Sequence, residues 1–193
     1  MPFGGACGVD SVCSSIFSKI PAQTFYDFGK NVFPDLQQTA AKFYGYSSAN
    51  AYWVDIGTPE EYIRATRDVL AEKFHIPHSR SSGVDPTATV APTAEIQGNV
   101  WIGRNATVAE NATVVGPTVI GDNVRIESNV HIESSIIWQN STIGSNAKLK
   151  DTIVGIDYIV ESNQELISTI VANNGPNVIP NGVSIGHAVE GPR

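Results

Sequence analysis

Between Val84 and Leu149 an aliphatic residue returns at every sixth position, and few folds accept such a rule. Val84, Val90, Ile96, Ile102, Val108, Val114, Ile120, Ile126 and Ile132 keep the spacing unbroken. The register then slips by one residue, and Ile137, Ile143 and Leu149 resume it. A fixed short period held over this length sets the architecture before any local propensity does. Two positions ahead of the aliphatic stands a small or β-branched residue: Ala88, Ala94, Val100, Ala106, Ala112, Val124, Val130, Ser141, Ala147. Three positions after it, Asn recurs at Asn99, Asn105, Asn111, Asn123, Asn129, Asn140 and Asn146. Gly follows the aliphatic at Gly103, Gly121 and Gly144.

This pattern fits a short flat strand, a corner, and another strand. Asn tolerates the left-handed backbone that a tight corner requires, where most residues lose roughly 1–2 kcal/mol. The aliphatic points inward and the small residue relieves the crowded vertex. Stacked coils then place like residues about 4.8 Å apart in parallel ladders. The expectation is a mostly β chain built as a parallel β-helix of hexapeptide repeats. An ordinary sandwich alternates with period two and does not sustain a six-residue rule.

Composition narrows the class of partner. The net charge of −7 disfavours a nucleic-acid backbone. No apolar run approaches the roughly 20 residues that span a bilayer. The N-terminus lacks a basic stretch followed by an apolar one, so no secretory leader is read. Cys7 and Cys13 are the only cysteines and are read as reduced thiols of a cytoplasmic protein. Asn-X-Ser/Thr matches at Asn105, Asn111 and Asn140 fall on corner positions and are read as corner geometry rather than glycan acceptors.

Ahead of the repeat, Ile16–Ile20 is a short apolar segment ended by Pro21, and Asp35 to about Lys42 reads as one or two helical turns. Phe43–Tyr46 and Ala51–Ile56 read as two strands joined by a polar turn. A helix then starts with Thr58 as N-cap, Pro59 at the first helical position and Glu61 completing a capping box, and runs to about Lys73. The domain map is a small α+β segment over 1–75, a linker over 76–85, the β-helix over 86–172 and an irregular tail over 173–193.

Tyr52-Trp53-Val54-Asp55-Ile56-Gly57-Thr58-Pro59-Glu60-Glu61-Tyr62 resembles a motif of the sugar-nucleotide pyrophosphorylases, which join an NTP to a sugar 1-phosphate. Tyr26–Pro34 is similar to the same family's preceding segment, where Asp more often stands at the position of Asn31. Ser135–Trp138 and Asp151–Gly155 resemble the β-helix of the mannose-1-phosphate guanylyltransferase and glucose-1-phosphate nucleotidyltransferase branches. The resemblance implies that the α+β segment is the end of a nucleotidyltransferase domain and that the β-helix is left-handed, against the usual right-handed crossover. It implies that Asp55 helps hold Mg²⁺ beside phosphates in an intact enzyme, a role a carboxylate can share with phosphate oxygens. Read from its residues alone, without the resemblance, Asp55 is rather a turn aspartate bonded to its own backbone. Lys30 is a candidate contact for a sugar phosphate, or a solvated surface lysine.

The family's Gly-rich phosphate loop, with its Arg and Lys, has no counterpart in this sequence. The expectation is therefore the C-terminal part or a truncated relative of such an enzyme, inactive alone. A missing nucleotidyltransferase half, as a separate chain, a preceding part of the same chain or a lost one, is the candidate partner, and the β-helix a homo-oligomerisation or regulatory scaffold with Trp101 and Trp138 as interface anchors. A hexapeptide acyltransferase would need a general base, and His131 is the only histidine inside the regular repeat. A zinc β-helix of the carbonic-anhydrase kind would need further histidines in the coils, whereas His75, His78 and His187 lie outside them.

Overall fold

The computed structural model describes residues 14–39, 44, 52–74 and 82–173. It divides into two compact units, Met1–Asp55 and Ile56–Arg193. Cys7, Cys13, His75, His78, His187, most of the Phe43–Tyr46 strand and most of the tail lie outside the described residues.

Within the second unit the hexads wind into a left-handed parallel β-helix of about five turns. Three parallel sheets form its faces. Face 1 has six strands, beginning at Gly83–Val84 and ending at Ile170–Val171. Face 2 runs from Thr89–Val90 to Ile159–Val160, and face 3 from Glu95–Gln97 to Glu165–Ile167, each with five strands. The ladder begins at Gly83, so residues 83–85, assigned to the linker by the sequence reading, belong to the first coil.

Each predicted inward aliphatic stacks on its counterpart one coil away. On face 1 the column is Val84, Ile102, Ile120, Ile137, Val154 and Val171. Ile102, Ile120, Ile126, Ile132, Ile137 and Ile143 have no exposed surface, and burying each such side chain contributes about 1.5–3 kcal/mol. The small position lies inside too, with Ala106, Ala112, Val124, Ser141 and Ala147 fully buried.

The corners explain the slip in register. In the first coils, face 1 partners are 18 residues apart (Gly83 with Trp101, Trp101 with Val119). From Val119 onward they are 17 apart (Val119 with Ile136, Ile136 with Ile153, Ile153 with Ile170). The residue is lost at the corner between faces 3 and 1, where Ser134, Asp151 and Ser168 turn the chain at φ 51°, 49° and 49°. The irregular spacing after Leu149 is thus a regular 17-residue coil. Buried hydroxyls line the inside of that corner. Thr118 Oγ1 accepts from the Ser135 N–H at 3.3 Å and Ser135 Oγ from the Thr152 N–H at 3.1 Å, so each coil hands a bond to the next.

At the other two corners Asn105, Asn111, Asn123, Asn129, Asn140 and Asn146 stand at φ 55–62°. Asn99 instead lies at the corner between faces 3 and 1, where Gly98, at φ 74°, makes the turn. The asparagines also bond to one another. Asn105 donates to Asn123 at 3.3 Å, Asn123 to Asn140 at 3.0 Å, and Asn140 to Asp157 at 2.9 Å. A second ladder runs from Asn129 through Asn146 to Asn163. Gly121 is required by close approach, since a Cβ there would lie 2.8 Å from the Gln139 backbone nitrogen.

One coil-to-coil ion pair reinforces a corner. Arg104 donates through Nε at 3.0 Å and Nη2 at 2.7 Å to Asp122 Oδ2, and its backbone N–H donates to Oδ1 at 2.8 Å. The guanidinium first, then that N–H, holds the Asp122 carboxyl below the usual carboxylate range.

Two measurements test this account. Asn140→Gly keeps the turn and loses the ladder bonds, whereas Asn140→Val must also put a β-branched residue at positive φ. Urea unfolding should show the Val variant less stable than the Gly variant by about 1–2 kcal/mol. Because the folded-state pKa of Asp122 is depressed, its contribution is full above the unfolded carboxylate pKa and is lost as pH falls through the folded value. Asp122→Asn should therefore lower the melting temperature at pH 7 and leave it nearly unchanged at pH 2.

Candidate functional site

In the first unit, Asp27 caps a π-turn over Phe28–Val32 that continues into helix α1, Phe33–Gln38. Asp27 Oδ1 accepts from the Lys30 N–H at 2.7 Å, and Asn31 Oδ1 accepts from the Asp27 N–H at 3.0 Å. The Tyr26–Pro34 segment is therefore a self-capped turn, in which Asn31 has a structural task. Tyr26 donates to Asp35 at 2.8 Å, which raises its phenol pKa. Helix α1 starts two residues earlier than the sequence reading because Pro34 falls in its first turn, where no N–H is needed. The Lys30 side chain is exposed.

The stretch Tyr52–Gly57 carries no strand. The reading of Ala51–Ile56 as a strand gave it Phe43–Tyr46 as its partner, most of which, with Ala51, lies outside the described residues. Asp55 is exposed in this stretch, three residues before Thr58. Among the described residues no group of three or more His, Cys, Asp or Glu gathers where a metal ion would sit. Asp55 alone is too few donors for a Mg²⁺ site, which normally adds phosphate oxygens and waters. The described residues do not form a metal centre by themselves.

Helix α2, Pro59–Leu70, is the part of the motif whose role the geometry makes explicit. Thr58 Oγ1 accepts from the Glu61 N–H at 3.2 Å, the predicted N-cap. The Glu61 carboxylate takes the Arg64 guanidinium. The helix stops three residues short of Lys73, because Glu72 turns at φ 54°. Lys73 N–H then donates to Asp68 O and Glu72 N–H to Val69 O, a Schellman closure.

The apolar stripe of α2 buries Ala65 and Leu70 to 6% and 3% exposure. Its seat is the outer side of face 1. There the outward column reads Trp101, Val119, Ile136, Ile153 and Ile170, apolar throughout. Ile136 and Ile153 keep only 4% and 6% exposure, although they belong to no part of the interior core. Two contacts fix α2 beside them. Tyr62 and Trp138 meet edge to face at 6.2 Å, and Trp138 Nε1 donates to the Tyr62 hydroxyl at 3.2 Å. Arg67 donates to Asp151 Oδ1 at 2.8 Å. Packing thus groups α2 with the β-helix, whereas the sequence map grouped it with residues 1–75. Trp138, expected as an anchor between molecules, is engaged within the chain. The outward column was readable beforehand, since an apolar residue directly precedes the inward aliphatic only on face 1 through five successive coils.

His131 points outward from face 3, in register between Thr113 and Lys148. Among the described residues it forms no ion pair with a carboxylate that would orient it as a general base. Among the described residues no helix is long and apolar enough to cross a membrane.

Fold and motif together define the class: a hexapeptide β-helix of the kind found at the C-terminal end of sugar-nucleotide pyrophosphorylases. A family model described as the EIF2B subunit epsilon LbH domain matches residues 84–190, more than half of the chain, which belongs to that family. The glucose-1-phosphate adenylyltransferase of Desulfitobacterium hafniense is 45% identical over 51 residues, 26% of this chain and 13% of that protein. The enzyme of the same name from Clostridium novyi is 44% identical over 48 residues, 25% of this chain and 12% of that protein. The chain therefore spans a small part of the length of these curated relatives. Among solved structures, the acetyltransferase domain of PglB from Neisseria gonorrhoeae is similar at 14% identity, covering 56% of this chain and 53% of that one, with a TM-score of 0.48.

The docking of α2 is testable by limited trypsinolysis. Trp138→Ala removes the edge-to-face contact and the bond to Tyr62, and cleavage after Arg64 and Arg67 should accelerate by about tenfold as α2 opens locally. Cleavage within the coils should not change.

Proposed function

We propose that this chain is the C-terminal portion of a sugar-1-phosphate nucleotidyltransferase of the mannose-1-phosphate guanylyltransferase kind. The complete reaction converts NTP and sugar 1-phosphate into NDP-sugar and pyrophosphate. In this reading the chain is cytoplasmic and inactive alone, and its β-helix serves as a scaffold for self-assembly. The observation that carries the reading is the Tyr62–Trp138 contact. The residue that closes the pyrophosphorylase motif is the one that seats its helix on the β-helix, so the motif works as a joint between catalytic end and scaffold.

The first unit supports the same reading. It buries Ile16 and Val32, while Phe17, Phe25, Tyr44 and Trp53 are 60%, 87%, 82% and 51% exposed. So much aromatic surface suits a segment that packs against the rest of a nucleotidyltransferase domain. In such an assembly Asp55 would supply one carboxylate for Mg²⁺, whose chemistry is to neutralise phosphate charge, and Lys30 would approach the sugar phosphate.

The test is pyrophosphorolysis of GDP-mannose and of ADP-glucose with Mg²⁺. The chain alone should release no nucleoside triphosphate above a blank, and robust turnover would contradict its inactivity. Calorimetry with acetyl-CoA tests the alternative reading of a hexapeptide acyltransferase: this proposal expects no binding heat, and a saturable isotherm would favour the acyltransferase.

A further inference from the structure

The two ends of the prism differ. The first coil has no neighbour below it, and its inward Val84 is 41% exposed while Val90 and Ile96 are half-buried. Among the described residues the last coil equally has no neighbour beyond it, yet its inward Val160, Leu166 and Val171 keep only 0%, 4% and 1% exposure. Part of the difference lies in the coil itself. Tyr158 and Gln164 stand at the inward small positions that Ser141 and Ala147 hold one coil earlier. Gln164 Oε1 accepts from the Glu161 N–H at 3.1 Å, whereas the matching Gly144 N–H donates to Val160 O in the coil beyond. Tyr158 does not complete the cover, because it is itself buried to 4%.

The rim of this end is apolar where earlier coils are polar. Ile159 stands over Thr142 and Ile167 over Lys150. With Ile156 they are 59%, 56% and 41% exposed. The chain leaves the described residues at the same rim, where Asn173 Nδ2 donates to Asp157 O at 2.8 Å. From Asn174 to Val189 no residue carries a formal charge, and Ile179 and Ile185 stand six apart, the period of the inward aliphatics. Six residues of extended chain reach about 20 Å, so Ile179 is within range of the whole end. The family match also continues past Asn173, to residue 190.

We propose that the segment 174–189 folds back over the last coil of its own chain, with Ile179 and Ile185 closing that end of the prism. The segment holds by apolar contact, since the Gln164 side chain has already taken an N–H that a further strand would need. A second copy could offer the same aliphatics, but a tethered segment acts at an effective concentration of about millimolar. The residues expected from sequence to be an irregular tail are thereby part of the scaffold.

The test is native-state hydrogen exchange on the full chain. Ile179→Asp and Ile185→Asp are compared with the polar-site controls Asn181→Asp and Ser184→Asp. Each isoleucine variant should speed exchange of the Ile159–Val160 and Glu165–Ile167 amides by at least about tenfold, and each control by less than about twofold. The Val100–Ile102 and Thr118–Ile120 amides should not change. Isoleucine variants that behave like the controls overturn the proposal. Protection of the last coil that rises with protein concentration overturns the assignment to the same chain, because a second copy then supplies the cover.

Discussion

The structure depends on one constraint: each coil must lie flat on the coil below, residue over like residue. Parallel strands pair only if every turn of the chain returns with the same face inward, and a one-residue error would turn the aliphatics out. The chain meets this constraint by spending its special conformations at the corners. Positive φ at Asn105, Asn123 and Asn140 sets the turn, and their amides bond in sequence so that each corner holds the next in register. When the coil shortens by a residue after Ile132, the change falls at one corner in every later coil, and the ladder continues unbroken.

A prism of this kind has flat outer faces, and its surface chemistry follows from which residue precedes the inward aliphatic. On face 1 that residue is apolar from Trp101 to Ile170, which makes a seat for an amphipathic helix. Helix α2 occupies it beside Ile136 and Ile153, held by a tyrosine at one contact and an arginine at another. The motif that resembles a catalytic element is thereby tied mechanically to the scaffold. Its carboxylate, Asp55, lies only three residues ahead of the helix cap.

Much of the fold was legible in the sequence, because a six-residue period with inward aliphatics admits few architectures. The buried column from Ile102 to Leu149 is the one the spacing marks. The cap at Thr58 was equally legible, since capping is a local interaction between residues three apart. The pairing of Tyr62 with Trp138 was not, because nothing local couples residues 76 positions apart. The same holds for Arg67 with Asp151. The strand expected at Ala51–Ile56 is the converse case: propensity proposes a strand, but only a neighbour makes one, and most of the expected neighbour lies outside the described residues. The metal role of Asp55 came from resemblance alone, and among the described residues no group of three or more His, Cys, Asp or Glu gathers at it.

The central claim is that α2 folds as part of the β-helix, so that the pyrophosphorylase motif is built onto the scaffold. Native-state hydrogen exchange on the whole chain measures this directly. If the claim holds, amides of Ile63–Leu70 exchange with protection approaching that of the third and fourth coils, because both open in one cooperative unit. Exchange of those amides at the rate of a free peptide, with the coils still protected, would contradict it.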